Sequence, residues 1–194
     1  MSTTEVKVGG LGGQGVILAG MIVGRAASIY DGKYATMTQA FGPEARGSAC
    51  SAQVIVSDEP VEYPYVTRPN ILVVMSQEAY NRFAGELAPG GTLIYDADLV
   101  QPKNVPAETV QYAIACTRIA EELRRQMVAN IVMVGFVAAV TDVCSVDALR
   151  EAVKTSVPAE TVSFNVTAFE RGYEFGLKLP GREAGRRSLA ASHA

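Results

Sequence analysis

Cysteine is scarce and histidine almost absent in this chain of 194 residues. The sequence contains three cysteines (Cys50, Cys116 and Cys144), no CxxC pair, and one histidine, His193, next to the C-terminal residue. A disulfide framework, a zinc ribbon and a four-cysteine iron–sulfur site all need more of these residues at closer spacing. We therefore expect no metal centre and no histidine-dependent catalysis on this chain alone, and a reducing cytoplasm as its location.

The chain also lacks an excess of positive charge and a long hydrophobic run. It has 17 Lys and Arg against 20 Asp and Glu, for a net charge of -3. General nucleic-acid binding and binding to anionic membranes therefore lose their electrostatic driving force. Two apolar stretches, 16–29 and 128–141, are each about 14 residues long, against the roughly 20 that a membrane span requires. We expect both to form buried helices.

A hydrophobic content of 48% is enough to build a sizeable core. Apolar runs predict strands at 5–8, 34–38, 49–57, 70–75, 92–95 and 109–114, and helices at 16–30, 77–87, 117–127, 128–141, 146–154 and 160–179. This order predicts an α/β fold: a single Rossmann-like domain over residues 1–179, with a mostly parallel sheet, helices on both faces and a helical C-terminal third. We expect residues 180–194 to form a flexible tail.

A glycine-dense segment joins the first strand to the first helix. Gly10, Gly12 and Gly15 match the GxGxxG pattern in the strand–helix context where it favours a phosphate group. Classical NAD binding also needs a carboxylate at the end of the second strand, but Asp31 precedes that strand and the strand ends at Thr38 and Gln39. Two interpretations stay open: a site for a phosphate or nucleotide group, and a tight structural turn.

A second loop, residues 41–47, combines rigid and permissive backbone positions. Its charged residues Glu44 and Arg46 are candidates for orienting a carboxylate or phosphate, because arginine is a planar bidentate donor. The alternative is a salt bridge within the loop. The three cysteines are expected to pack in the core rather than act as nucleophiles.

Five further residues have both a structural and a functional interpretation. Asp96 and Asp98 follow a strand, where capping and turn formation are favoured over a ligand site. Asn130 lies in an apolar helix and must be paired; a backbone partner in the same domain is favoured over a partner chain. Tyr63 and Tyr65 either anchor an interface or pack over the sheet.

Four blocks, in this order along the chain, resemble the γ subunit of the 2-oxoacid:ferredoxin oxidoreductases. They are residues 10–16 (GLGGQGV), 32–36 (GKYAT), 42–47 (GPEARG) and 54–58 (VIVSD). Residues 69–73 and 130–135 are similar too, so the resemblance extends over about residues 5–175. One position departs from it, since Ser48 stands where the family often has a second glycine.

The resemblance implies a subunit of an enzyme complex. Such complexes cleave a 2-oxo acid with coenzyme A into acyl-CoA and CO2 and pass two electrons to ferredoxin or a related acceptor. Thiamine diphosphate with Mg²⁺ and [4Fe-4S] clusters would be held by α, β and ferredoxin-like partner subunits. The γ subunit would cover the active-site entrance and assist coenzyme A access, with no cofactor of its own. The acid stays open among 2-oxoglutarate, pyruvate, branched-chain and aryl 2-oxo acids.

The resemblance also assigns roles to individual positions, although none of them would be catalytic in this chain alone. Glu44 and Arg46 would shape a loop that faces the thiamine site. The residues expected near a phosphate or the pantetheine arm of coenzyme A are Gly12, Gly13, Gln14 and Gly15. Two alternatives remain at this point: a free-standing NAD- or ATP-binding protein, and a purely structural subunit.

Overall fold

The computed structural model describes residues 3–42, 48–182 and 184, which form an α/β fold around one sheet. The strands are β1 Thr3–Leu11, β2 Tyr34–Ala40, β3 Ala49–Ser57, β4 Ile71–Val74, β5 Thr92–Asp96 and β6 Val110–Ile114. The helices are α1 Val16–Arg25, α2 Gln77–Phe83, α3 Cys116–Glu122, α4 Ala129–Val140, α5 Val146–Ser156 and α6 Val162–Leu177. A π-helical segment, Ala26–Tyr30, continues α1.

The six strands lie in the order β2-β3-β1-β4-β5-β6. Strands β1, β4, β5 and β6 are parallel neighbours, whereas β3 is antiparallel to both β1 and β2. The expected mostly parallel α/β sheet is therefore confirmed. The exception is β3, because the link from Ala40 to Ala49 is too short for a parallel crossover, which needs about a dozen residues or more.

Helices cover both faces of the sheet, as predicted. Alternate residues of β4 point to opposite faces: Ile71 and Val73 join the larger core, and Leu72 and Val74 join a smaller one. The smaller core is closed by α2, and the larger core by the other five helices. Helix α4 is buried at every residue and lies in the centre of the larger core, as expected of the apolar stretch 128–141. Within the described residues, no helix combines the length and the apolar character needed to cross a membrane.

Several element boundaries differ from the sequence prediction, and two of the differences lie near the glycine loop. Gly9 and Gly10 belong to β1 rather than to the turn, because they pair with Ser51 and Cys50 of β3. A Cβ on Gly9 would lie 2.8 Å from the Phe83 ring and one on Gly10 2.7 Å from Val16, so glycine fits these strand positions. The helix expected at 117–127 ends at Glu122, and Arg124 then adopts a left-handed backbone with φ of 59°. The chain re-enters helical structure only at the 3-10 turn Gln126–Val128.

The segment expected to be flexible begins in contact with the sheet edge. The Tyr112 hydroxyl on β6 lies within hydrogen-bonding distance of the carbonyl oxygens of Gly181 (3.0 Å) and Arg182 (2.8 Å). The first residues of 180–194 are therefore bound to β6. Residues 183 and 185–194, including His193, lie outside the described part of the chain, so flexibility there stays a prediction.

Candidate functional site at the carboxyl edge of the sheet

The chain leaves β1 and β4 in opposite directions across the sheet. After β1 it passes through α1 to β2 at one side, and after β4 it passes through α2 to β5 at the other. In open α/β sheets, ligands bind in the crevice at such a switch point, outside the carboxyl ends of the strands. The glycine loop of residues 12–15 lies at this point.

Within the glycine loop, two of the four backbone N–H groups donate to carbonyl oxygens of the protein. The Gly12 N–H donates to the Ser48 carbonyl oxygen (3.3 Å), and the Gln14 N–H to the Leu11 carbonyl oxygen (3.1 Å). Gly13 is exposed, has φ of 99°, and has open space where a Cβ would stand. Glycine is required here because other residues rarely adopt this backbone conformation. The loop therefore presents the Gly13 backbone to whatever enters the crevice.

The side chain of Gln14 is committed to the protein itself. Its amide oxygen accepts from the Leu11 N–H (2.7 Å), and its amide nitrogen donates to the Met75 carbonyl oxygen (2.8 Å). Leu11 ends β1 and Met75 follows β4, so this one side chain ties together the two diverging strand ends. Gln14 thereby holds the loop in a defined geometry.

Asn130 on α4 supports the other end of the loop. Its amide nitrogen donates to the Gly15 carbonyl oxygen (3.1 Å), which confirms the backbone partner in the same domain that the sequence favoured. Gly15 has φ of 73°, and a Cβ there would collide with the Asn130 amide. The Asn130 Oδ1 atom is buried and has no hydrogen-bond partner within residues 3–42, 48–182 and 184.

A cavity of about 320 Å³ opens beside Gly13. Its walls come from the ends of several strands and the start of α4, and its other lining residues are Gln14, Met75, Leu99, Thr117, Met127 and Ala129. Thr117 and Met127 belong to none of the motifs in the sequence. The position of Thr117 just beyond a predicted strand was the one signal available for it.

Asp96 holds Thr117, one of the residues that line this cavity, in place. The carboxylate is fully buried and accepts from the Thr117 N–H (3.0 Å), the Thr117 hydroxyl (2.6 Å) and the Cys116 thiol (2.8 Å). Its other oxygen accepts from the Asp98 N–H (2.9 Å). The expected capping and turn-forming role is confirmed for Asp96, while Asp98 forms an exposed ion pair with Arg118.

Glu44 and Arg46 lie outside the described residues, so the structure does not test their predicted roles. Of the residues that follow them, the Ser48 carbonyl oxygen accepts from the Gly12 N–H, and the Ala49 N–H donates to the Glu78 carboxylate on α2 (3.1 Å). The antiparallel pairing of Leu11 with Ala49 puts the start of β3 beside the end of β1. Ser48 and Ala49 therefore lie next to the glycine loop.

All three cysteines are buried, as expected of packing residues. Burial raises the pKa of Cys144 to about 12. Burial, with the neighbouring Asp96 carboxylate, raises the pKa of Cys116 well above its ordinary value, and burial also raises that of Cys50. Within the described residues, no group of three or more His, Cys, Asp or Glu is placed to hold a metal ion.

These raised pKa values predict unreactive thiols. We expect folded protein to take up less than one iodoacetamide per chain at about pH 8, where unperturbed cysteine is partly thiolate. In denaturant all three cysteines should react. Mass spectrometry of the alkylated chain checks this, and rapid modification of the folded protein at any one cysteine would contradict it.

Two candidate features lie away from the site. Tyr63 and Tyr65 are exposed and contact each other edge to face, with centroids 5.4 Å apart.

The Asp31 carboxylate accepts from the Ser145 N–H (2.7 Å) and hydroxyl (2.6 Å) at the start of α5. Asp31 is thus occupied in capping a helix and does not provide the ribose contact of NAD-binding proteins.

Comparison with known proteins decides the family. The family model described as pyruvate ferredoxin/flavodoxin oxidoreductase matches residues 5–175. The chain belongs to this family. It is 45% identical to the 2-oxoglutarate synthase subunit KorC of Methanocaldococcus jannaschii, over 90% of this chain and 95% of the relative. It is 48% identical to KorC of Methanothermobacter marburgensis, over 88% and 95% of the two chains.

Solved structures of family members share the fold. The γ subunit of a keto/oxoacid ferredoxin oxidoreductase from Geobacter sulfurreducens has a TM-score of 0.80 and 39% identity, covering 91% of this chain and 99% of that one. A chain of the 2-oxoglutarate:ferredoxin oxidoreductase from Magnetococcus marinus is 23% identical and has a TM-score of 0.84. The shared fold covers 93% of this chain but only 32% of the Magnetococcus chain. The resemblance to γ subunits is therefore confirmed, and the protein is a γ-type subunit of the 2-oxoacid:ferredoxin oxidoreductases.

Proposed function

We propose that this γ-type subunit covers the active-site entrance of a complex that converts a 2-oxo acid and coenzyme A into acyl-CoA and CO2, with two electrons leaving to ferredoxin or a related acceptor. One observation carries the proposal: the glycine loop lies at the switch point and is joined there to Ser48 by the hydrogen bond from the Gly12 N–H. The first resemblance block thereby meets the residue that directly follows the block containing Glu44 and Arg46. Crevices at such switch points are the usual ligand sites of α/β sheets.

We assign the cofactor chemistry to partner subunits. A [4Fe-4S] cluster takes four cysteine ligands, and this chain has three, all buried at separate places. The described residues likewise offer no cluster of carboxylates for the Mg²⁺ that accompanies thiamine diphosphate. The donor set therefore does not fit either group, and α, β and ferredoxin-like subunits are the proposed holders.

Residues 12–15 are the proposed contact for coenzyme A. Gly13 is exposed and has open space above its backbone, so a phosphate or the pantetheine arm can approach closely. Because the Gln14 side chain is bonded to Leu11 and Met75, its proposed contribution is to hold Gly13 and its neighbours in position. Glu44 and Arg46 are proposed to face the thiamine site from the adjoining segment.

The first acid to test is 2-oxoglutarate. Three relatives named 2-oxoglutarate synthase subunits are 45–48% identical to this chain and a fourth is 30% identical, whereas two relatives named pyruvate synthase subunits are 31–32% identical. We accordingly propose a 2-oxoglutarate-using complex located in the cytoplasm.

Anaerobic purification of the chain from its native host tests the complex. We expect larger partner subunits, thiamine diphosphate and the broad absorbance of thiolate-ligated clusters at about 400 nm, with coenzyme A-dependent oxidation of 2-oxoglutarate. A colourless chain that purifies alone and binds NAD(H) or ATP would overturn the proposal.

Gly13→Ala should raise the KM for coenzyme A about tenfold, which corresponds to about 1.4 kcal/mol. The new Cβ would project into the ligand space and strain a residue at φ of 99°. Gly32→Ala is the matched control, because Gly32 also has positive φ (66°) and open space but lies in the turn before β2. Steady-state kinetics of the purified complexes should show the KM change for Gly13→Ala alone; equal KM values would remove the loop from coenzyme A binding.

A further inference from the structure

A second, larger cavity lies behind the glycine loop, and we call it the arginine groove. It has a volume of about 650 Å³ and lies between α1, the connection from α3 to α4, and the start of α6. Most of its lining is apolar, and the apolar residues include Leu18, Val128, Ile131, Val157, Pro158 and Phe164. The proposed coenzyme A contact uses none of these side chains.

Two arginines at the groove have no acidic partner among the described residues. Arg118, Arg150 and Arg171 each pair with a carboxylate. Arg124 and Arg125, by contrast, are exposed and form no salt bridge within the described part of the chain. The Arg125 guanidinium lies over the Phe164 ring, 5.1 Å from its centroid, so it is held at the groove. The part of the chain that the structure describes thus places two adjacent cations without a carboxylate partner beside an apolar surface.

A buried acceptor in the groove lining is also unpaired. Asn130 is 2% exposed and uses its amide nitrogen on Gly15, while its Oδ1 atom has no hydrogen-bond partner among the described residues. Buried polar atoms are normally hydrogen-bonded, so this oxygen is available to an N–H or O–H donor that enters the groove. The groove therefore combines apolar walls, an unpaired acceptor and two unpaired cations.

Met127 connects the arginine groove with the cavity beside Gly13. This side chain is 89% exposed and lines both the arginine groove and the cavity beside Gly13. Exposed methionines with apolar surroundings are typical of protein-binding surfaces. In the Magnetococcus chain the same fold makes up 32% of a longer polypeptide, so the fold also occurs covalently joined to further protein.

We propose that the arginine groove and Met127 together bind an extended segment of a partner subunit. The segment would place an apolar side chain in the groove, a backbone N–H on Asn130 Oδ1, and an Asp, Glu or C-terminal carboxylate on Arg124 and Arg125. Arginine suits this role because its planar guanidinium binds carboxylates in a bidentate manner. The proposal requires a multi-subunit complex but does not depend on a coenzyme A role for the glycine loop.

Charge reversal tests the carboxylate contact in the purified complex. The double variant Arg124→Glu/Arg125→Glu should weaken association with the partner subunits at least tenfold. The control Arg68→Glu/Arg82→Glu makes the same charge change at two exposed arginines that lack a salt bridge in the described residues and lie outside the groove. Association constants from titration of tagged γ subunit with the remaining subunits measure the effect, and equal values for both double variants would overturn the proposal.

Crosslinking identifies the occupant. Met127→Cys gives a single accessible thiol, because the native cysteines are buried. A benzophenone attached there should crosslink a partner segment that has an acidic residue beside an apolar one, whereas Leu177→Cys, a 40% exposed site at the end of α6, should not crosslink that segment. Attachment to a segment without a carboxylate would overturn the proposal.

Hydrogen exchange distinguishes a small molecule in the groove from a segment of a partner subunit. Protection of residues 124–131 in the isolated chain by coenzyme A, with no added protection from the partner subunits, would assign the groove to the small molecule and overturn partner docking. We expect protection by the partner subunits only. Failure of the coenzyme A proposal would instead appear as an unchanged KM for Gly13→Ala in a complex that still assembles.

Discussion

Gly172→Ala should lower the free energy of unfolding by about 3 kcal/mol, at the upper end of the usual cost of overpacking a core. Gly172 lies on α6 where this helix crosses α4. A Cβ on Gly172 would lie closer than 3.0 Å to the Val132 carbonyl oxygen. The obstacle is backbone, so the clash can be relieved only by moving one helix away from the other.

The crossing is tight because glycines on both helices meet there. A Cβ on Gly135 of α4 would collide with the Phe169 carbonyl oxygen on α6, and one on Gly176 would collide with the Ala139 side chain. Separating the helices would open voids around Phe136 and Phe169, which are fully buried. The gain in helix propensity from glycine to alanine, about 1 kcal/mol, is too small to offset this loss.

Urea unfolding of the purified chain, followed by circular dichroism, measures the change. Gly85→Ala is the control, since Gly85 lies in a 3-10 turn and a Cβ there would contact nothing within 4 Å. We expect the control to differ from wild type by less than about 1 kcal/mol. A loss of less than 1 kcal/mol in Gly172→Ala would contradict the close contact between α4 and α6.

Asp96→Ala should also cost about 3 kcal/mol, for an electrostatic reason. The carboxylate accepts four hydrogen bonds at the end of β5, three of them on one oxygen from Cys116 and Thr117. Removing it leaves the buried Cys116 thiol and the half-buried Thr117 N–H and hydroxyl without their acceptor. Hydrogen bonds to a charged acceptor are stronger than those between neutral groups. Losing them therefore costs more free energy than losing an ordinary buried hydrogen bond.

Asp98→Ala provides the comparison for this variant. Its carboxylate pairs with Arg118, whose side chain is 64% exposed, and such exposed pairs contribute at most about 1 kcal/mol. Asp96→Asn should fall between the two alanine variants, because its amide nitrogen would face the Asp98 N–H donor. Equal midpoints for the two alanine variants in thermal unfolding would show that the Asp96 contacts do not stabilise the fold.

Patterns confined to short segments were sufficient to predict most elements. The apolar run of β3 was predicted with its observed bounds, and the stretch 128–141 was correctly expected to be a buried helix. The pairing of Asn130 with a backbone group followed from the free-energy cost of burying an unpaired amide. The capping role of Asp96 followed from its position directly after a strand. In each case the deciding interaction is local or follows from burial alone.

The four blocks were enough to indicate the family, because their residues and their order along the chain both resemble those of γ subunits. They were not enough to show that the glycine loop and the start of β3 adjoin. That contact arises from the antiparallel pairing of β1 with β3 and from the hydrogen bond between Gly12 and Ser48. Strand pairing joins residues distant in the chain, so no local pattern specifies it.

The length, charge and scarcity of cysteine by themselves predicted a chain without an iron–sulfur site of its own, and its periodic apolar segments determined an α/β fold. Only the tertiary structure decided that Gln14 is bonded within the loop, that Gly9 and Gly10 belong to a strand, and that Arg124 and Arg125 flank a groove with an unpaired acceptor. The physical reason is that secondary structure depends on neighbours in sequence, whereas available donors, acceptors and space depend on which distant segments pack together.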